Sequence, residues 1–276
     1  MKTTVVMVVY NIKVNYSKTF QALSNLLNQN MIDKDLSIII YDNSPVKQEI
    51  PSEYKYLNIL YKHDPRNIGI VTAYNYAFQK AKEEGSEWLL LLDHDTELTE
   101  DYFAQLHLLD SFDKNIAAVV PQIHCENQMI SPVYSDRLRP LQGERPGTGE
   151  QNTPVMAINS GAFIRVSFLD KINGFNSEFP LDYLDHWLFH EIYHNGSKVW
   201  VLDTKLEHEL SVMDYSRVSL KRYQSILDSE INFYKHYKKE LLPAYRTQLV
   251  KRLVKQFLTV KNKKIAAYTL RRIVSM

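Results

Sequence analysis

The sequence predicts an α/β fold built on a mostly parallel sheet, with a helical extension at its carboxyl end. Over residues 1–122, short runs of branched apolar residues alternate with segments whose apolar residues recur at helical spacing. Some of the apolar runs end abruptly in polar residues, as Trp88–Leu92 does at Asp93. Strands that alternate with helices predict a parallel sheet, and the ligands of such sheets gather at the carboxyl ends of the strands.

The expected strands and helices follow one another along most of the chain. Strands are expected at Thr3–Tyr10, Leu36–Tyr41, Leu57–Tyr61, Trp88–Leu92, Ala117–Val120 and Val199–Leu202. Helices are expected around Phe20–Leu27 and at Val71–Ala81, Leu98–Leu109 and Leu184–Tyr193, and order is also expected at Ala157–Val166. Residues 124–158 are polar and contain four prolines and three glycines, which predicts a long loop.

The net charge of +1 hides an uneven distribution of charge along the chain. Residues 216–276 contain fifteen Lys or Arg and three Asp or Glu, a balance of +12, whereas residues 1–215 carry −11. We therefore expect an acidic domain at 1–215 and a basic helical extension at 216–276, interrupted near Pro243. In the extension, Leu249, Leu253 and Phe257 recur every four residues, which predicts an amphipathic helix with a basic polar face.

The basic helix has three interpretations that the sequence leaves open. It can lie on an anionic membrane surface, pack on the acidic domain with its charges in water, or contact another subunit. Nucleic acid is not an expected partner, because no recognised nucleic-acid motif accompanies the charge.

Cysteine content and the apolar runs indicate the cellular compartment. Cys125 is the single cysteine, so an internal disulfide and a cysteine-based metal site are excluded, and a reducing compartment such as the cytoplasm is expected. The apolar run at Thr3–Tyr10 is much shorter than the ~18 apolar residues of a membrane span and lacks a signal-cleavage site. It is therefore expected to be a buried strand.

Three polar segments carry the predicted chemistry. Asp93-His94-Asp95 delivers two carboxylates to the end of a strand, where oxygen ligands suit Mg²⁺ or Mn²⁺; a solvated turn is the alternative. Asp42 also follows a strand and can accept a hydrogen bond from a pyrimidine ring N–H, or it can form a turn before Pro45. Residues 66–70 open a helix whose N-terminus can bind an anion, although a tight turn is equally consistent.

With these segments in one order, the chain resembles the family 2 glycosyltransferases, which have the GT-A fold. The matching stretches are Val8-Val9-Tyr10-Asn11, Asp42-Asn43-Ser44, Asn67-Ile68-Gly69 with Ala73 and Asn75, Asp93-His94-Asp95, Asn159–Arg165 and Gly174-Phe175. The segment Phe179–Trp187 is most similar to the rhamnosyltransferase branch. The resemblance covers about residues 3–210 and extends loosely to 240.

The resemblance implies a role for individual residues of this chain. It implies nucleotide-sugar contacts for Tyr10, Asn11, Asp42, Asn67, Gly69 and Asp93, with Asp42 on the pyrimidine and Asp93 on the ribose or a metal-bound water. It implies that Asp95 and His208 bind the metal and that Asp185 is the catalytic base. Leu184 replaces the family's usual glutamate, so Asp182 is an alternative base, and Asp182 and Trp187 are candidates for the acceptor side.

The expected function is an inverting, Mn²⁺- or Mg²⁺-dependent transfer of a sugar from a nucleotide-diphosphate donor. The resemblance implies L-rhamnose from dTDP-rhamnose, or a hexose from a UDP-sugar, and a glycan or lipid-linked acceptor of cell-surface polysaccharide synthesis. The enzyme is expected at the inner face of the cell membrane if the basic helix binds lipid.

Three other functions remain as alternatives. A sugar nucleotidyltransferase would be expected to carry a glycine-rich loop after the first strand, where this chain has Tyr10–Asn15 without glycine. A non-catalytic scaffold would not need Asp42, Asp93, Asp95 and Asp185. A glycosidase would need two carboxylates that flank the scissile bond, and no such pair stands out in the sequence.

Overall fold

The chain folds around one large mixed sheet with helices on both faces. The computed structural model describes residues 2–29, 36–54, 57–126, 128–138, 143–207 and 218–276. Within these residues the strands are β1 (Thr3–Val9), β2 (Ser37–Asp42), β3 (Ile59–His63), β4 (Trp88–Asp93), β5 (Ile116–Cys125), β6 (Gln128–Ser131), β7 (Val133–Tyr134), β8 (Gly149–Gln151), β9 (Val155–Met156), β10 (Ala162–Arg165) and β11 (Lys198–Glu207).

The strand order confirms the expected α/β architecture. The strands of the large sheet run β3-β2-β1-β4-β10-β5-β11-β8, with β6 beside β5, while β7 and β9 form a small separate sheet. Strands β3, β2, β1 and β4 are parallel to one another, and β11 is parallel to β5. Strand β10 runs antiparallel to both of its neighbours, β4 and β5. The carboxyl ends of β1, β2 and β4 therefore meet at one edge.

Apolar residues on the two faces of the sheet form two cores. The helices are α1 (Lys18–Asn28), α2 (Ile70–Glu83), α3 (Glu100–Ala104), α4 (Val166–Lys171), α5 (Leu184–His194), α6 (Leu220–His236), α7 (Leu242–Thr259) and α8 (Lys263–Ser275). Helices α1 and α3 pack on one face, and α2, α4, α5 and the C-terminal helices pack on the other. None of the helices in the described ranges has the length and apolar character needed to cross a bilayer.

Two expected elements are wrong in detail. The helix expected at Leu98–Leu109 is α3 followed by 3₁₀ turns at Gln105–Ser111, because i→i+3 hydrogen bonds tighten the chain there. Residues 124–158 are not one long loop, because β6 pairs with β5 and β8 pairs with β11. Strands of two to four residues are too short to show the alternation that identifies a strand in a sequence.

The basic extension packs against the α/β domain. Tyr223 and Leu227 of α6 and Tyr245 and Leu249 of α7 are buried in the same core as α2 and α5. Pro243 occupies the first turn of α7, where the missing N–H of proline costs nothing. The predicted boundary at residue 215 lies outside the described residues.

Candidate active site

Residues that follow β1, β2 and β4 meet at the carboxyl edge of the sheet. Asp42 pairs in register with Val9, and Asp93 pairs with Val8, so the two carboxylates flank β1 on either side. The Ser44 hydroxyl accepts a hydrogen bond from the Asn11 N–H at 2.9 Å, which joins the chain after β1 to the chain after β2. Residues of three segments singled out in the sequence, which follow β1, β2 and β4, therefore lie together at this edge.

Neighbouring hydroxyls fix the backbone of the turn at Asp93-His94-Asp95. Thr19 Oγ1 donates to the Asp93 carbonyl at 2.6 Å, and Ser17 Oγ donates to the His94 carbonyl at 2.7 Å. Ser160 Oγ accepts from the Asp93 N–H at 3.3 Å. Because these bonds use backbone atoms, the turn is held while the Asp93 and Asp95 side chains stay half-buried at the edge.

The chemistry of this turn fits a hard divalent cation that is bound together with a diphosphate. Mg²⁺ is usually held by one or two carboxylates and completed by phosphate oxygens and water, and Asp93 and Asp95 supply such ligands. Within the described ranges, no three His, Cys, Asp or Glu side chains converge on a common point. An all-protein cage is therefore absent from that part of the chain. His208 lies outside the described residues, so its predicted role as a ligand remains a prediction.

Asp42 is completely buried, and both of its oxygens accept hydrogen bonds from the protein. Oδ1 accepts from the Ser44 N–H at 2.8 Å, and Oδ2 accepts from Tyr61 at 2.6 Å and Gln48 at 2.9 Å. Burial alone would raise the pKa of Asp42, but hydrogen bonds from Ser44, Tyr61 and Gln48, the Ser44 side chain first among them, outweigh it and lower the pKa. Burial and the bond to Asp42 raise the pKa of Tyr61 to about 12. Because Asp42 has no exposed surface, a pyrimidine N–H could reach this carboxylate only if a neighbouring group moved.

Three of the residues expected to contact the nucleotide are exposed. Tyr10 is exposed by 45%, and Asn11 and Asn67 are also exposed. Asn11 and Asn67 both adopt positive φ, at 54° and 46°, a conformation in which asparagine is enriched. Their contacts with a nucleotide remain predictions.

Gly69, at the start of α2, lies against the segment that precedes α5. Its φ is 113°, and a Cβ at this position would approach the Pro180 carbonyl oxygen to 2.1 Å. The same oxygen accepts from the Val71 N–H at 3.1 Å, so Pro180 occupies one of the donors at the N-terminus of α2. The requirement for glycine here therefore comes from a contact within the protein, and it links α2 to the segment that carries Asp182.

Asp182 and Asp185 lie close together but have different surroundings. Asp182 Oδ2 accepts from Arg222 Nη1 at 2.5 Å and from Ser225 Oγ at 2.8 Å. Burial raises the pKa of Asp182, the Arg222 charge and the Ser225 hydrogen bond oppose that rise, and the Asp185 charge adds to it. Asp185 stands in the first turn of α5, half-buried, where Oδ1 accepts from the His186 N–H at 2.8 Å. Asp182 is therefore held by an ion pair and a hydrogen bond from α6, whereas Asp185 lies at the N-terminus of α5.

Trp187 points into the protein core. Its side chain is only 5% exposed and belongs to the same apolar core as buried residues of α2 and α6. The ring does not offer an exposed platform on which an acceptor sugar could stack, so the structure gives no support to the predicted acceptor contact.

Three buried polar atoms lie at or near this edge, and of their residues only Asn159 belongs to a stretch that was singled out in the sequence. The Tyr74 hydroxyl, Asn159 Oδ1 and His124 Nε2 have no hydrogen-bond partner in the part of the chain that the structure describes. Burial raises the pKa of Tyr74 well above its usual range, and the charges of Asp93 and Asp185 raise it further. Tyr74, on α2, therefore lies within electrostatic reach of both the β4 turn and the start of α5. The alanine-rich sequence around Tyr74 does not indicate that its hydroxyl lies near these two carboxylates.

Comparison with known families identifies the chain. The sequence model described as Glycosyl transferase family 2 matches residues 4–172, more than half of the chain. The chain belongs to this family. Asp182, Asp185 and His208 lie beyond the matched region, so their roles do not follow from that match. A search of curated proteins gives no match.

Solved structures share the fold of this family 2 glycosyltransferase. A mannosyltransferase from Pyrobaculum calidifontis, PcManGT, solved with GDP-Man and Mn²⁺, is 16% identical with a TM-score of 0.59 over 99% of this chain and 79% of its own. TarS of S. aureus is 15% identical with a TM-score of 0.57 over all of this chain. This chain spans 54% of the length of TarS and 88% of its 1–349 fragment, which is also solved with UDP at a TM-score of 0.52. At these identities the likeness establishes the GT-A fold alone.

Proposed function

We propose that this family 2 glycosyltransferase moves a sugar from a nucleotide-diphosphate donor to an acceptor hydroxyl with inversion at the anomeric carbon. The observation that carries the proposal is the match of residues 4–172 to the Glycosyl transferase family 2 model, in a fold that places Asp42 and Asp93 on either side of β1 at the carboxyl edge of the sheet. Asp185, at the start of α5, is the carboxylate proposed for the acceptor side, and its charge and that of Asp93 add to the rise that burial causes in the pKa of Tyr74. A single displacement needs the leaving group on one side of the sugar and a base on the other.

The donor lies, in this proposal, along the carboxyl edge of the sheet. Asp95 would bind Mn²⁺ or Mg²⁺, with His208 as a second proposed ligand and Asp93 on the ribose or a metal-bound water. The metal would supply positive charge that offsets the negative charge of the diphosphate. Tyr10, Asn11, Asn67 and Gly69 line the nucleotide, and Asp42 recognises the base after a neighbouring group moves. The nucleotide-containing structures of PcManGT and TarS support a nucleotide-sugar donor.

Asp185 acts as the general base in this proposal. A sugar hydroxyl is a poor nucleophile at neutral pH, and a carboxylate in hydrogen-bond reach can take its proton as the new bond forms, typically contributing about 10²–10⁴-fold. Asp182 is the weaker candidate for this step because Arg222 and Ser225 both engage its Oδ2. We assign Asp182 a positioning role, since it lies three residues before Asp185.

The substrates proposed here are L-rhamnose from dTDP-rhamnose, or a hexose from a UDP-sugar, and a glycan or lipid-linked saccharide acceptor. The similarity of Phe179–Trp187 to the rhamnosyltransferase branch favours rhamnose. Because the proposed acceptor belongs to cell-surface polysaccharide synthesis, we propose that the enzyme acts as a peripheral protein at the inner face of the cell membrane.

Release of nucleoside diphosphate from dTDP-rhamnose and from UDP-hexoses tests the proposal. The protein would be incubated with Mn²⁺, each donor and saccharide or lipid-linked acceptors, and the configuration of any product would be read by NMR. We expect release of dTDP or UDP and an inverted product, with a loss of about 10²-fold or more in Asp185→Asn. A retained anomeric configuration, or full activity in Asp185→Asn together with its loss in Asp182→Asn, would contradict the assigned roles.

A further inference from the structure

Helix α7 carries two apolar faces, only one of which is covered by the protein. On its inner face Tyr245 and Leu249 are buried against the core. On its outer face Val250, Val254, Phe257 and Leu258 are exposed by 46%, 56%, 60% and 79%. Packing on the domain therefore accounts for the inner face alone.

The four exposed side chains form one continuous strip along the helix. At ~100° per residue, they fall within an arc of roughly 100° on the side of α7 that points away from the core. We call this strip the outer face of α7. Its length covers more than two helical turns, from Val250 to Leu258, so it offers an extended apolar surface to a partner.

Basic residues border the outer face on both sides. At the same helical spacing Arg246 falls on one flank, and Lys251 and Lys255 fall on the other. All three are exposed, and none forms an ion pair within the described part of the chain. Long basic side chains beside apolar ones can rest their methylene stems on an apolar phase while the charged ends stay in water.

The charge of the surrounding region is of one sign. Residues 242–276, which contain α7 and α8, hold nine Lys or Arg and no Asp or Glu. The nearest carboxylates on α6 are already engaged: Glu230 binds Arg252 on the inner side, and Asp228 binds Arg272. The outer face is therefore apolar and cationic, without acidic residues of its own to attract a basic partner.

We propose that the outer face of α7 binds the surface of an anionic lipid bilayer. Phe257 and Leu258 enter the boundary between headgroups and acyl chains, while Arg246, Lys251 and Lys255 contact lipid phosphates. A helix with an apolar strip bordered by cations is the form that interfacial membrane binding takes. Symmetric pairing of this face with a second copy of the chain is disfavoured, because it would bring the same cations together without any carboxylate between them.

Vesicle flotation of the whole protein tests this surface. One set of vesicles contains equal parts of phosphatidylglycerol and phosphatidylcholine, and the other contains phosphatidylcholine alone. We expect the wild type to float with the anionic vesicles, less with the neutral ones, and less as salt is added. Phe257→Ser with Leu258→Ser should lower binding to both sets, and Lys251→Glu with Lys255→Glu should lower binding to the anionic set by at least about tenfold.

Matched controls carry the same chemical changes elsewhere on the surface. Val46→Ser removes an equally exposed apolar side chain, and Lys114→Glu reverses an exposed lysine of the domain; both should float like the wild type. The circular dichroism melt of each variant shows whether it is folded, and the outer-face variants should melt like the wild type because they leave the inner face intact.

Three results would overturn the proposal. In the first, the wild type does not bind the anionic vesicles; in the second, the wild type binds them and the outer-face variants bind equally well. The third is self-association in sedimentation that disappears in the same variants, which would make the outer face a subunit contact. Flotation needs neither donor nor metal, so its failure would leave the proposed sugar transfer untouched, and an inactive protein that floats would leave the surface standing.

Discussion

Arg222 of α6 donates a hydrogen bond of 2.5 Å to Asp182, three residues before the proposed base Asp185. The contact connects the C-terminal extension to the segment that leads into α5. On its other side that segment contacts α2, through the Pro180 carbonyl and the Val71 N–H at 3.1 Å. The position of Asp185 therefore depends on two elements that are distant from it in the sequence.

Arg222→Ala should destabilise the protein and slow sugar transfer. The substitution leaves a carboxylate that is 9% exposed without its cation, at a cost of about 1.5–3 kcal/mol for a charged hydrogen bond. Arg222→Lys, which keeps the charge, should recover part of both losses. Urea denaturation and the rate of donor turnover measure the two effects, and an unchanged rate in a destabilised Arg222→Ala would remove the positioning role of Asp182.

The same substitution should make stability more dependent on pH. Burial already raises the pKa of Asp182, and loss of Arg222 should raise it further. A carboxyl whose pKa is raised in the folded protein stabilises the native state at pH values below its ordinary pKa. That stabilisation is lost as the pH rises through the pKa of the folded state. The deficit of Arg222→Ala against the wild type should therefore be larger at neutral pH than near pH 4. An equal deficit at both pH values would contradict the shift.

Gly69→Ala should be among the most damaging glycine substitutions in the chain. The added methyl would meet the Pro180 oxygen at 2.1 Å, and φ of 113° is unfavourable for alanine, which alone costs of order 1–3 kcal/mol. Gly147→Ala is the matched control, since an added Cβ there meets no atom within 4 Å. Denaturation curves should give a lower free energy of unfolding for Gly69→Ala than for Gly147→Ala. Equal values would mean that the backbone at Pro180 can move away from the added methyl group without loss of stability.

Tyr74→Phe should separate stability from activity. The Tyr74 hydroxyl is buried without a partner among the described residues, so its removal breaks no hydrogen bond and should leave stability equal or higher. Because Asp93 and Asp185 both act on this hydroxyl, we expect donor turnover to fall. Melting temperature and turnover measured on the same preparation check both expectations, and unchanged turnover would exclude the hydroxyl from the site.

The sequence allowed prediction of features that depend on neighbouring residues. The strand before Asp93 is a continuous apolar run, so both its burial and its polar ending could be predicted. The burial of the run Leu36–Tyr41, and its polar ending at Asp42, could be predicted in the same way. Helix α7 was predicted from the spacing of Leu249, Leu253 and Phe257. Its periodicity did not reveal that Leu249 points inward while the next residue, Val250, points outward, because both are apolar.

Contacts between distant residues could not be predicted. Arg222 and Asp182 are 40 positions apart, and Gly69 and Pro180 are still further apart, so no local pattern connects either pair. The internal bonding of Asp42 was missed for the same reason, since Tyr61 lies on the neighbouring strand. Tyr74 has the composition of an ordinary core residue, and only the fold places it near Asp93 and Asp185.

The measurement that tests the central claim most directly is thermal stability in the presence of metal and nucleotide. Mn²⁺ or Mg²⁺ would be added with dTDP or UDP to the wild type, Asp95→Ala and the control Glu97→Ala, which alters an exposed residue next to the same turn. A ligand at 100 times its Kd stabilises the native state by about 2.7 kcal/mol. We predict a metal-dependent shift that Glu97→Ala keeps and Asp95→Ala loses. Folded wild type that shows no shift with either nucleotide, or a shift that persists in Asp95→Ala, would contradict the proposed donor site.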